Sequence, residues 1–301
     1  MCNYRTGLKK IDNFRDQSFI KQLSASDMLI QINHITTETN QDPQHKAFYQ
    51  VFLIQSPTKV IVDFTTYDIT TPALLFLSPY QHITWAGKSS EVITQLLFHG
   101  DFYCIEYHKQ EVACNGLLFN NIYLLPYVGL SPESLEEIEG IILKIEKELD
   151  DHSDFSEAVI KAYLQVILAL SSKVKKSYIE DNTAIVLTVE NNEGSEFQKL
   201  LEENFSQEKS VNFYAEKLHL STDSFSKKIK NQLGKTPSAF IQERIVLESK
   251  KLLHLTRLSI KEIAVQLNFQ DEHYFSRYFK KNVGVSPSEF RTKTGISIVA
   301  E

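Results

Sequence analysis

The reading of the chain turns on two stretches, VNFYAEKLHLSTDSFSKKIKNQLGKTPSAF from Val211 to Phe240 and IKEIAVQLNFQDEHYFSRYFKKNVGVSPSEF from Ile260 to Phe290. They are the same pattern written twice. Ala215 matches Ala264, Leu218 matches Leu267 and Leu220 matches Phe269, all at an offset of 49. Phe225 then matches Phe275, Ser226 Ser276, Lys227 Arg277, Ile229 Phe279, Lys230 Lys280, Gly234 Gly284, Pro237 Pro287 and Phe240 Phe290, at an offset of 50. A repeat that keeps apolar, small, basic and turn positions in register is one supersecondary unit used twice.

The unit reads as a helix-turn-helix. Ile260, Ile263, Ala264 and Leu267 share one helical face. Ala264 is small where a second helix must approach closely, and Asn268 tolerates the left-handed backbone of a tight turn. Asp271 caps a second helix that carries Tyr274, Phe275, Tyr278 and Phe279 inward. Gly284 ends that helix and Pro287 opens the next. In the first copy Ser221 or Thr222 caps, and Phe225, Ile229 and Leu233 face the core. The outward faces, with Ser226, Lys227 and Lys230, then Ser276, Arg277, Lys280 and Lys281, suit a DNA major groove. A single basic helix is commonly just a solvated surface; two in-register copies with matched basic positions are not.

From about Phe197 to Thr294 the sequence resembles the DNA-binding domain of the AraC/XylS family of bacterial transcription regulators. The match is carried best by IKEIAVQLNFQDEHYFSRYFKKNVGVSPSEFR, with its central Ala, Tyr-Phe-Ser-Arg, Phe-Lys-Lys, Gly, Pro and final Arg. It departs from the family at Asn268, where Gly is usual, and at Phe225, where Leu is common. The resemblance implies base reading by Asp223, Ser226 and Lys227 of the first recognition helix and His273, Ser276 and Arg277 of the second. Lys230, Lys280 and Lys281 lie further along and are expected on phosphates. It implies double-stranded DNA and RNA polymerase as partners.

Charge is divided along the chain. The 301 residues carry a net charge of −6, which alone argues against nucleic acid. Yet Lys209 to Lys293 holds 16 Lys and Arg against 8 Asp and Glu, a net of +8, and the remaining 16 basic and 30 acidic residues give −14. A basic block on an acidic partner is the division expected of a two-domain DNA binder. Cys2, Cys104 and Cys114 show no metal or disulfide spacing, no apolar signal core opens the chain, and no apolar run is long enough for a bilayer; a cytoplasmic protein with no membrane partner is expected.

Residues 1 to about 125 read as β. Met28–Ile35, Ala47–Ile54, Lys59–Phe64, Ala73–Leu77 and Val92–Phe98 are short, rich in β-branched and aromatic residues, and broken by Pro, Ser, Asp and Gly. They predict a small barrel or a double-sheet jelly roll. Phe48–Ile54, Ala73–Trp85 and Leu96–Cys104 resemble the cupin-like sensor domain of many AraC-type regulators, in which Ser78-Pro79 is the turn before the strand bearing His82. Of the metal-ligand candidates His45, His82, His99, His108 and Glu91, none forms the His-x-His pair that starts a cupin ligand set; the local sequence is Gln44-His45-Lys46. No metal, cofactor or catalytic residue is expected. Phe48, Tyr49, Phe52, Phe76 and Trp85 are the candidate lining of a small-molecule effector pocket, or else the core itself.

Ser131 to Asp150 predicts a helix capped by Ser131 with Pro132 in its first turn. Leu135, Ile138, Ile142, Ile145 and Leu149 are spaced 3, 4, 3, 4, a heptad seam that either packs within the chain or pairs with a second copy; the family resemblance favours a homodimer. Phe155 to Ser172 predicts a buried helix. Lys173 to Ser195 reads as a linker, with a short strand near Ala184–Val189. Ser238 to Leu253 predicts a helix of about 24 Å between the two units, shorter than the roughly 34 Å of one DNA turn, so bent DNA or tilted helices are expected.

The expected protein is therefore α+β with two domains. Residues 1–172 form a cupin-like β-barrel or jelly roll followed by a helical pair, a domain for sensing and dimerisation. Residues 173–195 are the linker. Residues 196–301 form an all-α domain with two helix-turn-helix motifs joined by a long helix. The expected function is sequence-specific transcription regulation, as an activator and not as an enzyme. A cupin-type metalloenzyme fused to a DNA-binding module and an effector-independent architectural DNA binder are the alternatives.

Overall fold

The computed structural model describes residues 21–22, 29–38, 43–63, 65–87, 89–103, 105, 117–119, 121–151, 153–186 and 193–294. His108 and all three cysteines lie outside them.

The N-terminal half is two antiparallel sheets with a helical pair on one side. The strands are β1 (Lys21–Gln22), β2 (Ile30–Ile35), β3 (Tyr49–Ile54), β4 (Thr58–Val62), β5 (Thr65–Ile69), β6 (Ala73–Leu77), β7 (Ile83–Trp85), β8 (Ile93–Phe98) and β9 (Tyr127–Gly129). The larger sheet runs β1-β2-β8-β3-β6-β9 and the smaller β5-β4-β7. Among the described residues no strand pairing joins the two into a closed barrel, so the double-sheet form is the one adopted.

Register decides which side chains meet. Ile30 pairs with Phe98 and Phe98 with Tyr49, and Ile32, Leu96, Val51 and Phe76 line up two residues on. This face packs against two helices, α1 (Pro132–Asp151) and α2 (Ser156–Val186). The alternate residues, Phe52, Ile54, Leu75, Leu77 and Ile93, turn to the smaller sheet and meet Val60, Val62 and Ile69. Both faces are covered, so β3 and β6 are buried at every position.

That alternation corrects the candidate effector lining. Tyr49 and Phe76 lie in the core under the helices, Phe52 and Trp85 between the sheets, and Phe48 against the C-terminal half. Residues an odd number apart on a strand leave opposite faces, so these five do not converge on one cavity.

The seam on α1 is also spent within the chain. Ile138, Ile142, Ile145 and Leu149 are buried in the core shared with α2 and the larger sheet, and Leu135 packs at its edge. The heptad spacing marked an apolar stripe, but the stripe is covered by its own domain. α2 runs to Val186, so residues 173–186, expected in the linker, are helical. No Gly or Pro interrupts Lys173 to Val186. The charged residues belong to a helix with solvated faces, although Lys175 is buried. Residues 187–192, including part of the expected short strand, lie outside the described residues.

Among the described residues the C-terminal half holds seven helices: α3 (Glu193–Asn204), α4 (Val211–Lys217), α5 (Thr222–Leu233), α6 (Pro237–Leu255), α7 (Ile260–Gln266), α8 (Glu272–Val283) and α9 (Pro287–Thr294). Their caps are those the repeat predicts. Ser221 accepts from Ser224 N and Asp271 from Tyr274 N; Gly234 and Gly284 end α5 and α8 in the left-handed conformation, at φ 78 and 89. Ser259 and Glu262 form a capping box on α7. Tyr274 departs from expectation: it is 44% exposed, its ring edge resting near Phe269 instead of entering the core.

The two halves meet through side chains of the β6–β7 turn and of the segment before β9. Tyr80 is 4% exposed and sits 5.1 Å from the ring of Phe290. Tyr123 stacks on Phe240 at 5.8 Å and donates to Glu202 Oε1 at 2.7 Å. Phe240 and Phe290 are register equivalents, so a tyrosine of the N-terminal half presses on the same point of each repeat. Lys250 donates to Pro79 O at 2.8 Å, and burial lowers its pKa to about 8. His99 Nε2 lies 2.8 Å from Lys293 O.

Each helix-turn-helix turn passes through one left-handed non-glycine residue, His219 at φ 57 and Asn268 at φ 51. The pair sits at an offset of 49, in register. Asn268 also donates its side-chain amide to Gln207 O at 3.0 Å, while the His219 side chain makes no such bond among the described residues. His219→Gly should therefore raise stability by about 0.5–1 kcal/mol, the relief of a left-handed L-residue less the added unfolded-chain freedom of glycine. Asn268→Gly should bring no gain, because it loses the amide bond. Denaturant midpoints at constant m-value check both; a destabilised His219→Gly would contradict this account.

Candidate nucleic-acid interface

The site is built on the outer faces of α5 and α8. Phe225 and Ile229 of α5, and Phe275, Phe279 and Val283 of α8, are buried. With one face of a 3.6-residue helix fixed inward, positions one and two residues further on turn outward. Asp223, Lys227 and Lys230 are exposed on α5, and His273, Arg277, Lys280 and Lys281 on α8; Ser226 and Ser276 are half-buried at equivalent places. The structure therefore brings the expected base-reading and phosphate residues onto two matching helix faces.

Both faces are held by packing from behind. Phe197 of α3 meets Tyr214, Phe225 and Phe240 at 5.5, 5.3 and 6.0 Å, so α3, α4, α5 and α6 converge on one ring. In the second unit Phe279 meets Phe275 and Phe290 at 6.0 and 5.5 Å. Arg291, the last residue of the quoted motif, donates from Nε to Leu253 O at 3.1 Å and from a terminal nitrogen to Leu258 O at 2.6 Å. It thus fastens α9 to the end of α6 and to the approach to α7. Lys209 donates to Leu267 O at 2.7 Å and Asn268 O at 2.9 Å, tying the start of the first unit to the turn of the second.

The basic residues divide into two classes. Lys209, Lys228, Lys235, Arg244, Lys250, Arg291 and Lys293 are engaged within the protein by carbonyls or carboxylates. Lys228 of α5 bonds Glu193, and with Gln232 it holds that carboxyl well down, at about 2. Lys227, Lys230, Arg277, Lys280 and Lys281 make no ion pair among the described residues and point their charge outward. The positive ends of α5 and α8 carry Ser221 and Asp271 as caps; backbone N–H groups of Tyr274 and His273 lower the Asp271 pKa and keep it ionised.

Sequence reasoning missed His219, Lys209, Tyr80 and Tyr123. His219 carried a signal, since it is the register partner of Asn268. The other three act through contacts far along the chain, for which no local pattern exists. Of the metal-ligand candidates, His99 lies beside Asp101, at 3.2 Å, and near the C-terminal backbone; His82 lies by Gly284. Among the described residues no group of three His, Cys, Asp or Glu comes together to hold a metal. No described helix is long and apolar enough to cross a membrane.

Comparison with known proteins agrees with this geometry. A family model described as a helix-turn-helix domain matches residues 214–293, both repeats together. The uncharacterized HTH-type transcriptional regulator YfiF of Bacillus subtilis is 31% identical over 147 residues, 49% of this chain and 44% of its own length. The virulence regulon transcriptional activator VirF of Yersinia enterocolitica is 23% identical over 75% of this chain and 82% of its own. Among solved structures, the C-terminal domain of AraT, a response regulator from Geobacillus stearothermophilus, is 30% identical, covering 37% of this chain and 93% of that one, with a TM-score of 0.34. The chain thus carries a helix-turn-helix DNA-binding domain, present as two copies of one unit, and is similar over most of its length to bacterial transcription regulators.

Proposed function

We propose that the protein is a cytoplasmic, sequence-specific transcription activator that binds paired DNA sites as a homodimer and answers to a small-molecule effector held by its N-terminal half. The observation that carries the DNA-reading part is the pair of matched outer faces on α5 and α8, with five outward charges that make no ion pair among the described residues. RNA polymerase is the partner of an activator of this kind, and VirF, a relative, bears the activator name. Residues 1–186 are the sensing and dimerising part, 187–192 the connection and 193–301 the DNA-binding part. With the heptad stripe of α1 covered, the second copy is assigned to the outward face of the helical pair, where Leu143 is 63% and Val166 42% exposed. Sensing is supported by the two tyrosine contacts on equivalent phenylalanines. A ligand that favours one arrangement of those contacts shifts how the reading helices are held, in proportion to its differential affinity.

α6 has 19 residues, a rod of roughly 28 Å against about 34 Å for one turn of DNA. The recognition helices then enter successive grooves on bent DNA or at a tilt.

Three outcomes test this reading. Arg277→Ala should relax discrimination at one base pair by roughly 1–3 kcal/mol, the worth of a two-bond grip on guanine. Uniform weakening across sequences would make Arg277 a phosphate contact instead. Lys280→Ala should reduce the slope of log affinity against log salt by about one unit; an unchanged slope would move that side chain away from DNA. A fragment beginning before Glu193, which keeps the Glu193–Lys228 contact, should fold and bind single sites as a monomer. The full chain should exceed it on tandem sites, since its second binding event is intramolecular. Equal binding by fragment and full chain at every spacing would remove the dimer from this account.

A further inference from the structure

A cavity lies between β9, the segment leading into it and the middle of α2. It has a volume of about 430 Å³, within the range of small-molecule sites. Its walls are mostly apolar and aromatic, with Tyr123, Tyr127, Val128, Val174 and Ile179 among them. Lys175 also lines it, and that lysine is 5% exposed.

Lys175 is the anomaly of the N-terminal half. An ammonium group loses much hydration on burial and is ordinarily paired with a carboxylate. Here its one hydrogen-bond acceptor among the described residues is the backbone carbonyl of Leu125. Among the described residues no carboxylate lines the cavity. Burial brings its pKa down to about 8, and no charge among the described residues opposes that. An ammonium has three donors, so one carbonyl leaves two for another acceptor.

We propose that this cavity binds a small organic anion, a monocarboxylate with an apolar, ring-sized body, with Lys175 as its counter-ion. The carboxylate supplies the charge and the acceptors that Lys175 lacks, and the body fills the space between the tyrosines and the aliphatic wall. The ligand then touches Tyr123. Tyr123 also reaches the DNA-binding half, where its hydroxyl donates to Glu202, Arg244 of α6 donates to Glu202 at 2.9 Å, and its ring stacks on Phe240. The site thus stands one side chain from the frame of the first helix-turn-helix. It rests on the reading of the N-terminal half as a sensor and names the class of molecule sensed.

Titration calorimetry on the full chain, with 3-phenylpropanoate against the equally shaped but neutral 3-phenylpropanamide, tests the site. The acid should bind saturably and the amide about tenfold more weakly or worse, the value of a charge-assisted hydrogen bond. Lys175→Met, which keeps the apolar stem, should bring the acid down to the level of the amide. Equal affinity for acid and amide, no saturable binding of the acid, or full acid affinity in a folded Lys175→Met protein would each overturn the proposal. Should Lys175→Met fail to fold, the acid and amide comparison on the unaltered chain decides alone. DNA affinity measured with and without the acid separates the two readings. A change lost in Lys175→Met supports sensing through this site, whereas binding without any change keeps the site and overturns the sensing role.

Discussion

The ring of Phe197 is the contact on which the DNA-reading geometry depends. It is fully buried, and three aromatic rings from three different helices converge on it. Short helices such as α4, with seven residues, have little stability of their own in water. They persist because their apolar faces are buried together, and Phe197 is the common partner. Remove it and α5 loses the support that points Lys227 and Lys230 outward. The second unit lacks an equivalent ring from a preceding helix. There Phe279 occupies the place of Ile229, and Tyr80 of the N-terminal half packs against Phe290. The repeat is thus symmetric in sequence and asymmetric in support: the first unit is braced chiefly from α3, the second partly from the other half of the protein.

What the sequence revealed follows the range of the interactions involved. Caps, left-handed glycines and the buried faces of α5 and α8 are local; each is decided by residues within one or two turns, and each is where the repeat places it. Five of the six strands of five or six residues were legible from their alternating or continuous apolar runs; β5, Thr65–Ile69, was missed because its sequence, TTYDI, holds two Thr and an Asp and only one buried apolar residue. β7 and β9, three residues each, are too short to carry a pattern. The heptad stripe of α1 was legible as a stripe, but periodicity does not name the partner that covers it. The division of Tyr49 from Phe52 was readable, since an odd separation along a strand sends side chains to opposite faces. Lys173 to Val186 misled because a solvated helix and a charged linker share a composition. The absence of any Gly or Pro there was the overlooked sign.

The long-range contacts, those between the halves and that of Lys175 within the N-terminal half, were not legible at all. Tyr80, Tyr123, Lys250 and Lys175 look in sequence like ordinary surface or core residues. Their roles arise from burial against segments 50 to 210 residues away in the chain. Two of them are lysines with lowered pKa, and burial is the first cause in each case. A cation without an opposing charge in an apolar setting is a cost that a folded protein ordinarily avoids. At Lys250 the backbone carbonyl of Pro79 and the nearby Asp63 offset it; at Lys175 only the carbonyl does.

The length of α6 gives the tyrosine contacts mechanical leverage. A rod of roughly 28 Å pivoted by about 10° at one end moves the other by about 5 Å, more than the 3.4 Å rise of one base pair. One tyrosine bears on Phe240, near the start of that rod, and the other on Phe290, in the helix packed against its far end. On the proposed function, a pivot of that size at either contact would shift one recognition helix against the other by more than one base step. On that proposal, the half-site spacing a DNA would have to present depends on the joint between the halves as much as on the heads themselves.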